Sequence, residues 1–393
     1  MTATVAGLTR QIRVDHPSAS YAAARVARQT AHEAGLAGVL ADRAAVVAAE
    51  LAGNIDKHTG GGSVFVHSSL FGGPGGEAPG PGQSPGRHSS LFGGPGGEAP
   101  GPGQSPGCHS SLFGGPGGEA PGPGQSPGRH SSLFGRGVDV LAADDGPGMA
   151  DLDHWLLDGN TTTATLGTGL GAVKRMAAEF RITSSPAAGT LAAARLLDPA
   201  APAPRHAIGH FRLPRDGEEY CGDAVALADV TGSRTAVVAD GLGHGPDAAE
   251  AADAALRVFT ENPDRPLSHQ LTNMHRALRT TRGAAVALVR IAPRRLEFCG
   301  VGNVSGASLG DGPSRLLLST PGVVGFTLPS APVRHLTLAD DDVVVLHTDG
   351  VGTGWRVPGR APDLLLLAAD LAHRHRNARD DAAMLALRAD GPR

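Results

Sequence analysis

Residues 67–129 are three consecutive copies of a 21-residue unit, HSSLFGGPGGEAPGPGQSPGR, and a partial copy, HSSLF, comes next at 130–134. The full copies differ at one place only, where Arg87 and Arg129 become Cys108. No other feature constrains the fold as strongly. Glycine does not fall at every third position, which excludes a collagen helix. The unit also lacks the periodic apolar face that stacked solenoid repeats require. The block therefore reads as a Gly/Pro-rich loop, flexible and partly polyproline in character, and any core must come from the chain on either side of it. It holds 21 of the 57 glycines and 12 of the 30 prolines, so the remainder has the composition of loop-rich folded domains. The repeat histidines His67, His88, His109 and His130 recur in step with the unit, and no specific chemistry is expected of them.

Excising 67–134 joins the flanking segments into one domain covering 1–197. The run LDPAAPAPRH places a linker at 198–206, and 207–393 has strands and helices of its own. The segment 22–49 reads as alanine-rich helix, and helix returns at 171–180. Short β-branched runs at 63–66, 137–143, 235–239, 284–291 and 342–346 read as strands. Only 18% of residues are charged and the net charge is −4, which provides no basic footprint for nucleic acid. The start, MTATVAGLTRQIRVDH, has no apolar signal region, and no stretch is apolar enough to span a bilayer. The expectation is a cytoplasmic protein with no membrane and no nucleic-acid partner. Three scattered cysteines offer no disulfide framework and no CxxC knuckle.

Three elements in the first half point to a nucleotide. Glu50 and Asn54 stand four apart on an expected helix, so they share a face. A carboxylate can deprotonate an attacking hydroxyl, and an amide oxygen can ligate Mg²⁺ without adding charge. Asp144-Asp145-Gly146-Pro147-Gly148 comes directly after the strand GVDVLAA, where a carboxylate at the strand end can accept from an adenine amino group. Gly167-Thr168-Gly169-Leu170-Gly171 then opens a helix whose N–H groups suit phosphate. Each element alone is also an ordinary polar pair or turn; their order is the signal. It resembles the GHKL (Bergerat) ATPase superfamily. More narrowly, IRVDHPSASYAAARVARQTAHEAGL, ELAGNIDKHTGGG and ADDGPGMADLDHWLLDGNTTTATLGTGLGAVKRMAAEF look like the anti-sigma-factor-type serine kinases, the group of the stressosome switch kinase. The resemblance implies an α/β sandwich that binds ATP and Mg²⁺. It implies Glu50 as general base, Asn54 as Mg²⁺ ligand and Asp144 as adenine contact, with Gly146, Gly148, Gly167, Gly169 and Gly171 around the nucleotide. The repeat block enters about seven residues from Asp144, on the order of 20 Å along a strand, so the fold is expected to survive it.

The second half has acidic residues in a telling order: Asp223 in CGDAVAL, Asp240 in TAVVADGLGHG, Asp349 in VVVLHTDGVG, and Asp380-Asp381. Two of these end apolar strands, which plants carboxylates at a sheet rim. Clustered carboxylates repel unless hard cations hold them. The pattern resembles PP2C-type serine/threonine phosphatases of the sporulation stage II protein E branch, which implies an α-β-β-α sandwich with two Mn²⁺ or Mg²⁺ ions. By motif the ligands would be Asp223, Asp240, Gly241 through its carbonyl, Asp349 and Asp380. Ala383 stands where the last motif usually has threonine, which leaves Asp380 favoured over Asp381 on a weaker match. His373 and His375 read as a solvated basic helix end, and Cys221 as a small buried side chain.

The whole then implies an α/β two-domain regulator that phosphorylates and dephosphorylates serine or threonine on a STAS-domain antagonist or stressosome protein, and so controls a stress-response sigma factor. The alternative is an active phosphatase fused to a sigma-factor-sequestering module or a non-catalytic nucleotide sensor.

Overall fold

The computed structural model describes residues 3–71, 137–152, 156, 169–186, 188–200, 208–230, 232–355 and 362–389. The repeat block from residue 72 onward, Gly167 and linker residues 201–206 lie outside these.

Sixteen strands among the described residues form three antiparallel sheets. The first has the order β2 (Arg10–Val14), β3 (Gly62–Ser68), β4 (Gly137–Asp144), β6 (Gly189–Leu197) and β5 (Glu179–Ser185). One face of it carries α1 (Ala19–Glu33), α2 (Val39–His58) and α3 (Gly169–Met176). The alanine-rich 22–49 stretch thus splits in two. The break falls at Gly35 and Gly38, whose φ values of 81° and 57° are conformations that a β-carbon disfavours. The helix expected over 171–180 ends early, at Met176. Phe180 enters β5 opposite Ala194 and packs against the helical core, so tertiary pairing overrides the local apolar pattern.

The other two sheets face each other. One runs β1 (Ala3–Val5), β8 (Asp223–Val230), β9 (Ser233–Gly241), β10 (Ala284–Ala292), β11 (Arg295–Val301) and β14 (Arg334–Thr337). Its partner runs β13 (Arg315–Leu318), β12 (Ser305–Leu309), β15 (Val343–His347), β16 (Ala382–Arg388) and β7 (Ile208–Leu213). Val225, Val238, Ala287 and Phe298 interleave with Val344, Leu346 and Leu385 between the sheets. Central strands buried on both faces explain the near-continuous apolar runs such as TAVVA. Outside the six-stranded sheet lie α4 (Pro246–Glu261) and α5 (Leu267–Ala277), contributing Leu256, Phe259, Leu271 and Met274.

Among the described residues, the outer face of the five-stranded sheet that ends in β7 carries one α-helix, α6 (Leu364–Asp370), and that helix is shared. Leu364, Leu365, Leu367 and Ala368 pack with Phe211, Leu213 and Met384 below and with Phe65, Leu141, Leu191 and Ala193 of the first sheet above. Asp363 caps α6, accepting from the Leu365 and Leu366 amides at 3.0 and 3.2 Å, and also accepts from Arg181 Nε of β5 at 3.2 Å. The two halves therefore have a common hydrophobic layer. The first half also lends a strand to the second. β1, at the start of the sequence, pairs with β8, Ala3 opposite Ala228 and Val5 opposite Ala226, a long-range pairing that local sequence does not announce. Among the described residues no helix is long and apolar enough to cross a membrane.

The repeat block does not begin as a loop. β3 continues through His67 and Ser68 opposite Asp139 and Val138, and Leu70 and Phe71 are buried. The first HSSLF segment is thus part of the folded core.

Candidate functional site

Asp223 and Asp240 lie directly opposite each other on β8 and β9. Asp349 comes two residues after β15, and Asp380-Asp381 immediately precede β16, which pairs with β15. The strand ends therefore gather the acidic residues at one rim of the double sheet. Asp223 is fully buried, and the Thr348 hydroxyl donates to its Oδ2 at 2.7 Å. Burial and the Asp240 charge push the Asp223 carboxyl far above its ordinary range. Burial and the charges of Asp349 and Asp380 push Asp240 up to about 8. Burial and Asp349 also raise Asp380. Mutual repulsion of this kind is what a divalent cation relieves, and the donors are the hard oxygens that Mg²⁺ and Mn²⁺ prefer, so the residues present fit such ions.

Asp380 and Asp381 have different surroundings. Asp381 is buried and its two oxygens accept from the Arg215 and Gly222 amides, both at 2.9 Å, so its lone pairs hold distant backbone in place. Asp380 Oδ1 accepts from the adjacent Asp381 amide at 3.0 Å, and the side chain lies within the electrostatic field of Asp349 and Asp240. Gly241 packs against α4, where an added β-carbon would lie 2.0 Å from the Ala248 carbonyl oxygen. Asn303, in the segment GVGN (300–303), donates from Nδ2 to Asp349 Oδ2 at 2.6 Å. It orients that carboxylate. The signal was a glycine-asparagine turn after β11, where Gly302 has φ 100°.

The raised carboxyls have a measurable consequence. Without metal, the folded protein retains protons that the unfolded chain has released above about pH 4. Stability of the metal-free protein should therefore fall as pH rises from about 4 towards 8. Mn²⁺ replaces those protons, so its thermal stabilisation should be larger at pH 8 than at pH 5. Melting curves with chelator and with Mn²⁺ at the two pH values test this, and an equal or smaller metal-induced shift at pH 8 contradicts it.

In the first half, Glu50 and Asn54 sit half-buried on α2, and Asn54 Nδ2 is a buried atom without a hydrogen-bond partner among the described residues. Asp144 ends β4 and is nearly buried. Its Oδ1 accepts from the Gly146 amide at 2.9 Å, and burial outweighs that bond to raise its carboxyl. Gly146 and Gly148 are required by the protein itself: a β-carbon on Gly148, at φ 65°, would lie 2.1 Å from the Ser185 carbonyl oxygen, and one on Gly146 2.6 Å from Thr59. Gly169 and Gly171 lie in the first turn of α3. The unpartnered Asn54 Nδ2 is a donor that suits an acceptor such as a phosphate oxygen, and the desolvated Asp144 carboxyl at the strand end suits a donor such as an amino group.

Two expectations are corrected at the junction. His373 is not a solvated helix end. Its Nε2 lies 3.2 Å from Asp145 Oδ2, and Arg374 Nε donates to Asp145 Oδ1 at 2.9 Å. His67 is not idle either. It is wholly buried, with Nδ1 3.3 Å from the Thr9 hydroxyl and Nε2 3.6 Å from Asp139 Oδ2. His67, Asp139 and His210 bring ligand atoms within 4.8 Å of one another and form a candidate metal site built from residues other than the aspartate cluster. Arg195 already compensates the Asp139 charge, with Nε and Nη2 donating at 2.7 and 2.8 Å, so a dication here would face a buried guanidinium. Cys221 is buried and desolvation pushes its thiol up, as suits a packing residue.

The C-terminal half thus has two facing antiparallel sheets flanked by helices, with aspartates gathered at one rim, and its sequence is similar to known phosphatases. A family profile described as stage II sporulation protein E (SpoIIE) matches residues 230–354. The phosphoserine phosphatase RsbX of Bacillus subtilis (strain 168) is 26% identical over 155 residues, 36% of this chain and 72% of RsbX. The serine/threonine-protein kinase RsbT of the same organism is 40% identical over 55 residues, 14% of this chain and 41% of RsbT, so the chain spans less than half of that kinase. A solved structure described as the bacterial stressosome, a modular system adapted to control secondary messenger signaling, aligns with a TM-score of 0.43 and 30% identity over 47% of this chain and 100% of that one.

Proposed function

We propose that the chain is a bifunctional partner-switching regulator, a PP2C-like phosphatase (207–393) joined to a GHKL-type serine kinase (1–197), acting in the cytoplasm on a STAS-domain antagonist or stressosome protein and so on a stress-response sigma factor. The observation that carries the phosphatase reading is the convergence of Asp223, Asp240, Asp349 and Asp380 at one rim, with the carboxyls of Asp223, Asp240 and Asp380 raised as suits a site for cations. These four side chains and the Gly241 carbonyl would hold two Mn²⁺ or Mg²⁺ ions. Such ions lower the pKa of a bound water and clamp a phosphate for in-line attack. Thr348 and Asn303 fix the orientation of Asp223 and Asp349.

The kinase reading rests on the order Glu50, Asn54, Asp144 and the glycines 146, 148, 167, 169 and 171, and is supported by the similarity to RsbT. In this reading Asp144 would accept from the adenine amino group, Asn54 would offer its amide oxygen to Mg²⁺, and Glu50 would act as general base for the substrate serine hydroxyl. The single experiment is phosphotransfer from labelled ATP to a STAS-domain protein encoded beside this one, using Asp240→Asn so that product is not erased. Labelled serine is the expected result, removed again when Asp240 is restored. Absence of label even after deletion of 72–134 sinks the kinase and leaves the phosphatase fused to a sequestering or nucleotide-sensing module.

A further inference from the structure

The phosphatase half places two side chains directly on the loop proposed to hold adenine. Arg374 Nε and His373 Nε2 grip the two oxygens of Asp145, and Arg374 Nη2 donates to the Asp144 carbonyl at 3.3 Å and to the Ala188 carbonyl. Both residues belong to a π-helical turn, Leu371–His375, that continues α6. Its other end meets the metal-site loops. The His375 carbonyl accepts from the Gly352 amide at 2.8 Å, Arg376 bridges to Val351, and the Asn377 amide donates to the Gly350 carbonyl at 2.8 Å. The Asn377 carbonyl in turn accepts from the Asp380 amide at 3.1 Å. From Asp145 to the neighbours of Asp349 and Asp380 the route is therefore one ion pair, a single helical turn and two backbone hydrogen bonds.

A π turn holds one residue more than an α turn, and a return to α register shifts the downstream chain by about 1.5 Å and 100° of rotation. Here the downstream residues are those hydrogen-bonded to Gly350 and Asp380. The grip on Asp145 holds the turn at one end, and a ligand that repositions the Asp144–Asp145 loop changes that grip. We propose that nucleotide occupancy of the N-terminal site controls the phosphatase through the turn 371–375. This coupling rests on the nucleotide site proposed above. Coupling of this kind is commonly about 5- to 150-fold.

The test measures hydrolysis of p-nitrophenyl phosphate by the full chain in saturating Mn²⁺, with and without ADP, beside calorimetric ADP binding. Asp144→Asn at the same ADP concentration controls for metal chelation. The expected result is at least a five-fold change in turnover on adding ADP. Arg374→Gln should bind ADP yet show no response, and Asp145→Asn, which cuts the same contact from the other side, should behave alike. ADP that binds without changing turnover overturns the coupling and leaves the nucleotide site standing. A response that survives in both variants overturns the route. Failure of ADP to bind removes the nucleotide site, and the coupling with it.

Discussion

Replacing Asp240 by asparagine is expected to lower phosphatase turnover by more than about 100-fold while raising the melting temperature of the metal-free protein. Loss of a group that merely orients a ligand already costs about 10- to 100-fold at metal sites, and Asp240 is placed as a ligand itself. The stability change has the opposite sign because Asp240 is desolvated and faces Asp349 and Asp380, which push its carboxyl up to about 8. An amide is of similar size and carries no charge to repel. Function and stability therefore conflict at this rim, as they do wherever like charges are assembled for a cation. Phosphatase assays with melting curves in chelator check both halves, and an unchanged turnover or a lower metal-free melting point would count against the assignment.

Cutting Asp139 to alanine is expected to destabilise the chain by about 3–5 kcal/mol, the usual cost of leaving one partner of a buried ion pair alone. Arg195 is 1% exposed and Asp139 0%. Burial alone would raise the Asp139 carboxyl, but the Arg195 charge and its hydrogen bonds hold it well below the usual range. The pair's contribution is thus fully present above about pH 4 and lost only at much more acidic pH. Arg195 also donates to the Ile208 carbonyl at 2.8 Å and lies over the Phe71 ring at 5.4 Å. Loss of Asp139 should therefore loosen the contact between the halves as well as the first sheet. The double change Asp139→Leu with Arg195→Met should recover most of the stability, because no charge is stranded. Urea denaturation of the three variants measures this, and a neutral single substitution refutes it.

What the sequence made legible was local. Asp223, Asp240 and Asp349 each stand beside an apolar strand and next to glycine or alanine, so a reading of short windows could place them at strand ends. The different surroundings of Asp380 and Asp381 were not legible, because they turn on two amides, those of Arg215 and Gly222, that come from far away in the chain. Asn303 was not legible as a partner of Asp349, since 46 residues separate them. The contact of His373 and Arg374 with Asp145 joins opposite halves of the chain and leaves no trace in either local window. HSSLF misled for a different reason. The string occurs four times, and what makes its first copy structural is only that Val66 precedes it in β3 and Asp139 stands opposite. Composition is identical in all four, so no window confined to the repeat could single out His67.

The pairing of β1 with β8 has a consequence for how the protein is made. Residues 3–5 leave the ribosome before their partners at 226–228, which emerge more than two hundred residues later. At about 5–20 residues per second, that is a delay of roughly 10–45 s during which β1 has no partner strand to dock on. Throughout that interval β8 does not exist. Once it emerges, its open edge is exposed until β1 returns to cover it, and an uncovered strand edge invites pairing with other chains. The order of synthesis thus leaves closure of the six-stranded sheet to a segment made long before the strand it covers.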